Sequence, residues 1–253
     1  MPTDGPGSAN PARTLGLLWG PQDRTGRSGL SIRAIVDAAV DLADTQGMDA
    51  VSMRQVAEKL GVGTMSLYTH VPGKTELTEL MSDRALADLY RDVDEPRSQG
   101  DWRSGMTFVA HRNWDLYLRH PWLLELLGFR PVVGPHLSDK YEAELRPLDG
   151  IGLSDVEMDS ALTLVLTHVE GAARAHQAQI GARQESGRTD AQWWVQVGPI
   201  LEKVMDTDRF PVSGRVGSAA GQAHQAPGDP RHMLDFGLAR ILDGVHGLIG
   251  NRG

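Results

Sequence analysis

Residues 60–77, LGVGTMSLYTHVPGKTEL, carry hydroxyl, thioether and imidazole side chains but only one lysine, Lys74, and no arginine. Thr64, Met65 and Ser66 follow Gly63 and begin a short predicted helix. Hydroxyl groups at such a position can donate to or accept from the edges of bases, and the apolar atoms of Met65 or Thr64 can touch a thymine methyl group. The alternative is that these are ordinary solvated side chains.

Two short helices position this stretch. Ser52–Leu60 and Thr64–His70 are joined by Gly61 and Val62, a pattern typical of a helix-turn-helix. Gly61 suits the turn because a positive φ costs a glycine little. Ser52 with Gln55 is a capping-box pattern that predicts the start of the first of these helices.

A longer helix precedes the pair. From Ser31 onwards the apolar residues recur at helical spacing and form one stripe, which Gly47 ends in a left-handed cap; the stripe consists of Ile32, Ile35, Val36, Ala39, Val40 and Ala43. Taken alone, a helical corner of this kind is weak evidence for DNA binding, since many helical proteins contain one.

The surrounding sequence is more specific. The run VSMRQVAEKLGVGTMSLYTHVPGKTELTELM (51–81), preceded by IVDAAVDLADTQGMDA (35–50), resembles the DNA-binding domain of the tetracycline-repressor (TetR) family. FGLARILDGVHGLI (236–249) resembles the last helix of the tetracycline-repressor-type ligand domain. The resemblance is close over residues 31–91. It implies a dimeric, all-helical transcriptional repressor that leaves its double-stranded DNA operator when a small molecule binds.

Within this resemblance, several residues outside the base-reading turn become candidates for phosphate contact. Tyr68 is similar to the family tyrosine whose hydroxyl meets a phosphate, although it could equally be a half-buried aromatic that packs on the first helix. His70 could bond a phosphate or cap its helix. Lys74 opposes the dipole at the start of the next helix, which makes sense if a phosphate binds there. The full set of predicted DNA-binding residues is Arg33, Ser52, Arg54, Gly63, Thr64, Met65, Ser66, Tyr68, His70 and Lys74.

The charge of the chain is distributed unevenly. The formal net charge is −8, and residues 31–92 hold six Lys or Arg against ten Asp or Glu. Residues 10–33 hold four arginines against one aspartate, and Arg33 or Arg54 could be either phosphate contacts or solvated charges. Residues 1–29 are rich in Gly, Pro, Ser and Thr and are predicted to form a disordered arm, whose Arg24 and Arg27 could reach a minor groove or could simply be part of a tail.

The remaining sequence also predicts helices and no strand. Residues 30–75 form the predicted DNA-binding domain, and residues 76–253 form a helical domain for ligand binding and dimerisation. The helix that begins near Lys74 is predicted to continue to about residue 91. The other predicted helices of this domain are 101–119, 121–127, 138–147, 154–178, 190–206 and 232–249. Residues 207–231 lack a period and are predicted to be a mobile loop.

Aromatic residues concentrate in this second domain and suit an apolar or aromatic effector. Five of the six tryptophans follow residue 100. The predicted ligand-binding residues are Trp114, Leu118, Leu126, Val165, His168 and Val169. His168 is either a satisfied core histidine or a hydrogen-bonding partner of the effector.

The resemblance also bears on metals and on assembly. The tetracycline repressor binds its drug with magnesium, but Leu126 falls near the point of its metal-binding histidine, and the nine histidines contain no H-x₃-H pair. We therefore expect no metal and no cofactor. The helices at about 154–178 and 232–249 are predicted to form a four-helix bundle in a homodimer, with Gly237, Gly244 and Gly247 allowing close approach. The alternative is that the last helix is an intramolecular core helix.

Composition excludes several other classes of protein. The chain has no cysteine, so it has no disulfide, thiolate metal site or cysteine nucleophile. No apolar run reaches the roughly 18 residues that a membrane helix needs, and we expect a cytoplasmic protein. No paired carboxylates, nucleophile elbow or phosphate loop point to an enzyme. An interaction module with a purely structural helix-turn-helix is the other alternative.

Overall fold

The computed structural model describes residues 11–25, 29–126, 131–206 and 208–250, and all regular structure in these residues is helical. The predicted all-α class is confirmed. The α-helices are α1 Pro11–Leu18, α2 Ile32–Gln46, α3 Met53–Lys59, α4 Thr64–Tyr68, α5 Lys74–Ala85, α6 Trp102–Arg119, α7 Leu123–Leu126, α8 Pro135–Leu145, α9 Asp155–Ser186, α10 Asp190–Val204, α11 Pro211–His224 and α12 Pro230–Gly250. Short 3-10 turns cover Met48–Ala50, Arg97–Gln99 and Arg146–Leu148.

The chain divides into two compact units. The first comprises residues up to Leu166 together with those from His246 onwards, and the second comprises Thr167–Val245. The division therefore falls inside α9 and α12 rather than near residue 75. The predicted boundary between a DNA-binding domain and a larger helical domain stays a prediction.

The core of the first unit begins with the apolar stripe of α2. Ile35, Val36 and Ala39 are completely buried, and α2 packs against α3 and α5. Side-chain caps set the helix starts: the Ser31 hydroxyl accepts from the Ala34 amide at 3.2 Å, as expected for a favoured N-cap residue. At the far end, Gly47 ends α2 as predicted, and its amide donates to the Ala43 carbonyl; its φ of 81° is positive, but its ψ of 169° makes the cap extended and not the left-handed cap that was predicted.

The prediction of a disordered arm over residues 1–29 is wrong for part of its length. Residues Pro11–Leu18 form α1, in which Leu18 and Thr14 are buried, and α1 packs against α5. The side-chain amide of Gln22 donates to the backbone carbonyl of Leu18 at 3.0 Å and so caps the end of α1. An eight-residue helix is marginal alone and depends on tertiary packing, which its sequence does not reveal. Arg27 lies outside the described residues.

The prediction of a mobile loop over residues 207–231 is also wrong, because Pro211–His224 form α11. The sequence of α11 shows no clear apolar period, because a glycine, Gly221, stands at a position that packs against a neighbouring helix. A Cβ atom at Gly221 would lie 2.1 Å from the indole ring of Trp194 on α10. The absence of a side chain at Gly221 is what allows the two helices to meet.

No helix in the described part of the chain is long and apolar enough to span a membrane.

Candidate nucleic-acid interface

The corner between α3 and α4 is built by a short run of backbone hydrogen bonds. The Ser52 hydroxyl accepts from the Gln55 amide at 3.2 Å and starts α3. Gly61 has a φ of 67°, which confirms the predicted positive value. The Val62 amide donates to the Ala57 carbonyl at 3.0 Å, and the small side chain of Ala57 is buried where the helices cross. These bonds fix the direction in which α4 leaves the turn.

The two faces of α4 have opposite environments. Leu67 is fully buried and holds the helix to the core. Met65 is 76% exposed and Tyr68 43% exposed, whereas Thr64 and Ser66 are half-buried. Gly63, the N-cap residue, is exposed and supplies no side-chain cap. The outward face is therefore short and uncharged, with hydroxyl, thioether and phenol groups available to a partner.

Cations flank this neutral face. Arg54 on α3 and Lys74, the first residue of α5, are both exposed. Neither has an ion-pair partner among the residues that the structure describes. The N-cap of α5 is Gly73, which makes no side-chain cap bond, and the Glu76 carboxylate lies in the first turn close to Gly73. Lys74 and the N-terminus of α5 favour an anion, because helix N-termini attract negative charge.

Arg33 differs from the other predicted phosphate contacts because it already has a carboxylate partner. Its guanidinium group forms an ion pair with Asp23. The hydrogen bond from Arg33 holds the pKa of Asp23 below its usual value. A phosphate would have to compete with Asp23 for this arginine. The DNA-binding role of Arg33 stays a prediction.

His70 lies just beyond the end of α4 and is half-buried. Its backbone amide donates to the Leu67 carbonyl at 2.9 Å, and the Thr69 hydroxyl donates to the Ser66 carbonyl at 2.7 Å. His70 and Thr69 line one side of a small concavity whose other side includes Arg24. The sequence did not predict that Arg24 lies near Thr69 and His70, because Arg24 was assigned to a disordered arm.

Two acidic side chains hold the DNA-binding helices to the helices that follow. Asp44 on α2 accepts from the indole nitrogen of Trp122 at 2.6 Å and from the His120 ring nitrogen Nδ1 at 2.7 Å. Asp83 on α5 is buried and accepts from the Leu137 amide at 3.0 Å, in the first turn of α8. Burial raises the pKa of the Asp83 carboxyl group. Both contacts join the helices on either side of the helix-turn-helix, α2 and α5, to residues beyond position 119.

A third acidic residue, Glu144 on α8, accepts three hydrogen bonds while only 1% exposed. The donors are the Tyr90 hydroxyl at 2.8 Å, the Asn113 amide at 2.6 Å and the Lys140 ammonium at 2.6 Å. Burial, reinforced by the neighbouring Glu144 carboxylate, raises the pKa of Tyr90 well above its usual value. Sequence reasoning missed all three acceptors. Of the three acidic residues, only Asp83 is marked in the sequence, because it is the one acidic residue among the buried apolar positions of α5.

The predicted ligand-binding residues occupy different environments. Trp114, Val165 and Val169 are buried among packed helices, whereas Leu118 and Leu126 are each 37% exposed. His168 alone of the six lines a large concavity in the second unit, with a volume of about 660 Å³. The aromatic and imidazole rings along that concavity form a row, in which His224 and His232 are 5.0 Å apart and His232 and Phe236 are 5.9 Å apart.

His168 also explains one of the glycines in α12. Its Nε2 atom donates to the Leu234 carbonyl at 3.0 Å, and a Cβ atom at Gly237 would lie 2.2 Å from the imidazole ring. Gly237 therefore makes room for α9 of the same chain. The nearby space at Gly244 and Gly247 is open. A further contact of His168 with an effector stays a prediction.

The capped corner between α3 and α4, the uncharged outward face of α4 and the neighbouring cations, which have no ion-pair partner in the described part of the chain, define a helix-turn-helix protein. Residues 35–81 match the model of bacterial regulatory proteins of the tetR family, and residues 95–249 match that of the tetracyclin repressor-like C-terminal domain. The chain belongs to the TetR family of regulators.

Its relatives include named repressors. The chain is 40% identical to the HTH-type transcriptional repressor DrrR1 of Streptomyces coeruleorubidus, over 99% of this chain and 91% of that protein. It is 28% identical to the class A tetracycline repressor protein from transposon 1721 of Escherichia coli, over 85% and 90% of the two chains. The structure of the Streptomyces coelicolor TetR family protein ActR in complex with actinorhodin is similar with a TM-score of 0.74 at 25% identity, over 88% and 99%.

Proposed function

We propose that this protein is a transcriptional repressor that binds a double-stranded DNA operator as a homodimer and leaves it when a small apolar or aromatic effector binds. The single observation that carries this proposal is the exposed, uncharged face of α4 between the unpaired cations Arg54 and Lys74. Its relatives support it, since DrrR1 is named a repressor and ActR has been solved with actinorhodin. Because a repressor acts on the chromosome, we place the protein in the cytoplasm.

On the DNA side, base reading and phosphate attraction fall to different residues. Thr64, Met65 and Ser66 on the first turn of α4 read base edges. Lys74, Arg54 and the Tyr68 hydroxyl bind phosphates beside them. A phosphate bound by Lys74 would also interact with the N-terminus of α5.

For the dimer we propose pairing through α9 and α12. Both helices expose apolar side chains that a partner helix would cover: Val156, Leu164 and Leu248 are each at least 40% exposed. Burying such side chains contributes roughly 25 cal/mol per Å² of apolar surface. Two-fold symmetry would place two copies of α4 on two half-sites.

For the effector we propose the concavity lined by His168, His224, His232 and Phe236. Its volume, about 660 Å³, is in the range of small-molecule sites, and it combines apolar walls with a few polar ring nitrogens. A flat aromatic molecule could stack along the row of rings. Trp114, Val165 and Val169 do not line this concavity.

The test is selection of duplexes from a randomised pool by the full-length protein, followed by titration of the enriched duplex at several salt concentrations. We expect a two-fold symmetric consensus, and a logarithmic affinity that falls linearly with the logarithm of salt concentration. Adding candidate aromatic compounds should then lower the bound fraction. If no duplex is enriched over the starting pool, the protein is not a sequence-specific DNA-binding protein and the proposal is wrong.

Replacing Met65 with alanine should alter base preference and leave the salt dependence unchanged. Met65 has no charge, and removing its thioether arm loses apolar contact of about 1 kcal/mol, or roughly fivefold, at one base pair in each half-site. A repeated selection with the Met65→Ala variant measures the change in consensus. An unchanged consensus and affinity would show that Met65 does not touch the bases.

A further inference from the structure

We propose that Arg24, in the turn after α1, binds a DNA backbone phosphate next to the end of the recognition helix. This inference rests on the proposed DNA-binding function and adds to it a contact element outside the helix-turn-helix. It assigns a role to the N-terminal segment, and it supplies positive charge where α4 has none.

The residues that lead up to Arg24 are attached to the rest of the fold. Before it, Leu18 of α1 is buried, and the Trp19 indole nitrogen donates to the Val133 carbonyl at 3.1 Å. Within the turn, the Gln22 carbonyl accepts from the Arg33 amide at 3.1 Å, and Asp23 forms an ion pair with the Arg33 side chain. The contacts of Gln22 and Asp23 attach the backbone next to Arg24 to the first residues of α2.

The charge of Arg24 is not neutralised within the described part of the chain. Arg24 is exposed, and its one hydrogen bond there runs from its backbone amide to the Pro21 carbonyl at 3.4 Å. The carboxylate nearest in sequence, Asp23, is already engaged by Arg33. The guanidinium group is therefore available to a phosphate, which it can bind with two parallel hydrogen bonds.

Arg24 also lies in a suitable place. It shares a concavity of about 290 Å³ with Thr69, His70 and Ile32. Thr69 and His70 directly follow α4, and Ile32 is the first residue of α2. A recognition helix of five residues is about 7.5 Å long, and the major groove that receives it is about 12 Å wide. Groups beside its C-terminal end consequently approach the sugar-phosphate wall of the groove, where a cation is favourable.

The experiment compares Arg24→Ala with Arg119→Ala on the duplex enriched by the wild-type protein. Arg119 is an exposed arginine at the end of α6. The next residue, His120, bonds to Asp44 near the C-terminal end of α2, whereas Arg24 lies by its N-terminal end. Since Ile32 and Asp44 are 12 residues apart along α2, these two anchoring positions are separated by about 18 Å. Fluorescence anisotropy between about 50 and 200 mM salt gives the affinity and its salt slope.

We expect Arg24→Ala to weaken binding about five- to twentyfold and to reduce the salt slope by about 0.9 for each protomer, which is the contribution of one phosphate. Arg24→Lys should restore most of the slope, and the selected consensus should not change. Thermal unfolding of Arg24→Ala should match that of the wild type, because the side chain is exposed.

Two results would overturn the inference while leaving the proposed function intact. Arg24→Ala could behave as Arg119→Ala does, in which case the turn does not meet DNA. Alternatively, Arg24→Ala could change the base preference at the flanks of the operator, which would indicate insertion into a minor groove and not a phosphate contact. Failure of the wild-type protein itself to bind any duplex would overturn the proposed function as well.

Discussion

Replacing Lys74 with alanine should weaken operator binding by about ten- to a hundredfold at near-physiological salt and reduce the salt slope by about 0.9 per protomer. The ammonium group has no carboxylate partner among the described residues and stands beside the uncapped first turn of α5. Its loss therefore costs a phosphate contact and relieves only the unfavourable interaction of the ammonium group with the helix dipole. Titration of labelled operator at several salt concentrations measures both quantities.

The same change should weaken binding to all duplexes alike, because a phosphate carries no sequence information directly. Tyr68→Phe should act in the same direction with a smaller effect, through the lost hydroxyl. Lys203, an exposed lysine on α10, provides the matched control, and Lys203→Ala should leave both affinity and slope near the wild-type values. If Lys74→Ala leaves the salt slope unchanged, Lys74 does not bind a phosphate.

Replacing Glu144 with alanine should lower the free energy of unfolding by about 3–5 kcal/mol, the usual cost of removing one partner from a buried ion pair. The change leaves the Lys140 ammonium group, the Asn113 amide and the Tyr90 hydroxyl without their shared acceptor. Each is at least partly buried, so water cannot fully replace the carboxylate. Urea denaturation followed by circular dichroism measures the loss as a lower transition midpoint.

Glu142 lies on the same helix, is exposed and pairs only with Arg146 at the surface in the described structure. Glu142→Ala should cost no more than about 0.5 kcal/mol, which separates the effect of burial from that of losing a glutamate. Glu144→Gln keeps an acceptor oxygen and should be less harmful than Glu144→Ala. Equal midpoints for Glu144→Ala and Glu142→Ala would show that the buried cluster does not stabilise the fold.

Local signals in the sequence predicted the helix-turn-helix. The Ser52 cap, the positive φ of Gly61 and the buried position of Leu67 all depend on residues within a few positions of one another. Consequently α2, α3 and α4 lie close to where the pattern predicted them. The exposure of Met65 and Tyr68 follows from the same periodicity, since both lie on the side of α4 opposite to the core.

Long-range partners were beyond the reach of such signals. Asp44 meets Trp122 across 78 positions, and Asp83 meets Leu137 across 54. Nothing in a single sequence tells which acid will accept from which distant donor. The helices α1 and α11 were missed for a related reason: α1 is too short to be stable alone, and α11 packs through Gly221, where the absence of a side chain leaves no hydrophobic mark.

The ligand-binding residues were chosen from apolar helical stripes, and apolar stripes primarily identify cores. Trp114, Val165 and Val169 are accordingly buried. In the row formed by His224, His232 and Phe236, His224 ends α11 in a segment predicted to be a loop, whereas His232 and Phe236 lie in the predicted last helix. A concave site formed by distant segments becomes visible only once those segments are folded together.

The helix α4 contains only five residues, Thr64–Tyr68. Its short length limits the number of base pairs that it could contact in one subunit. A helix of about 7.5 Å spans little more than two base-pair steps of 3.4 Å. A sequence of two or three base pairs recurs by chance throughout any genome, so one subunit could not distinguish a single promoter from other DNA. Two subunits at a fixed spacing would recognise two half-sites together, which is a longer sequence. Changing the spacing between the half-sites would then abolish recognition of the operator without altering any contacted base.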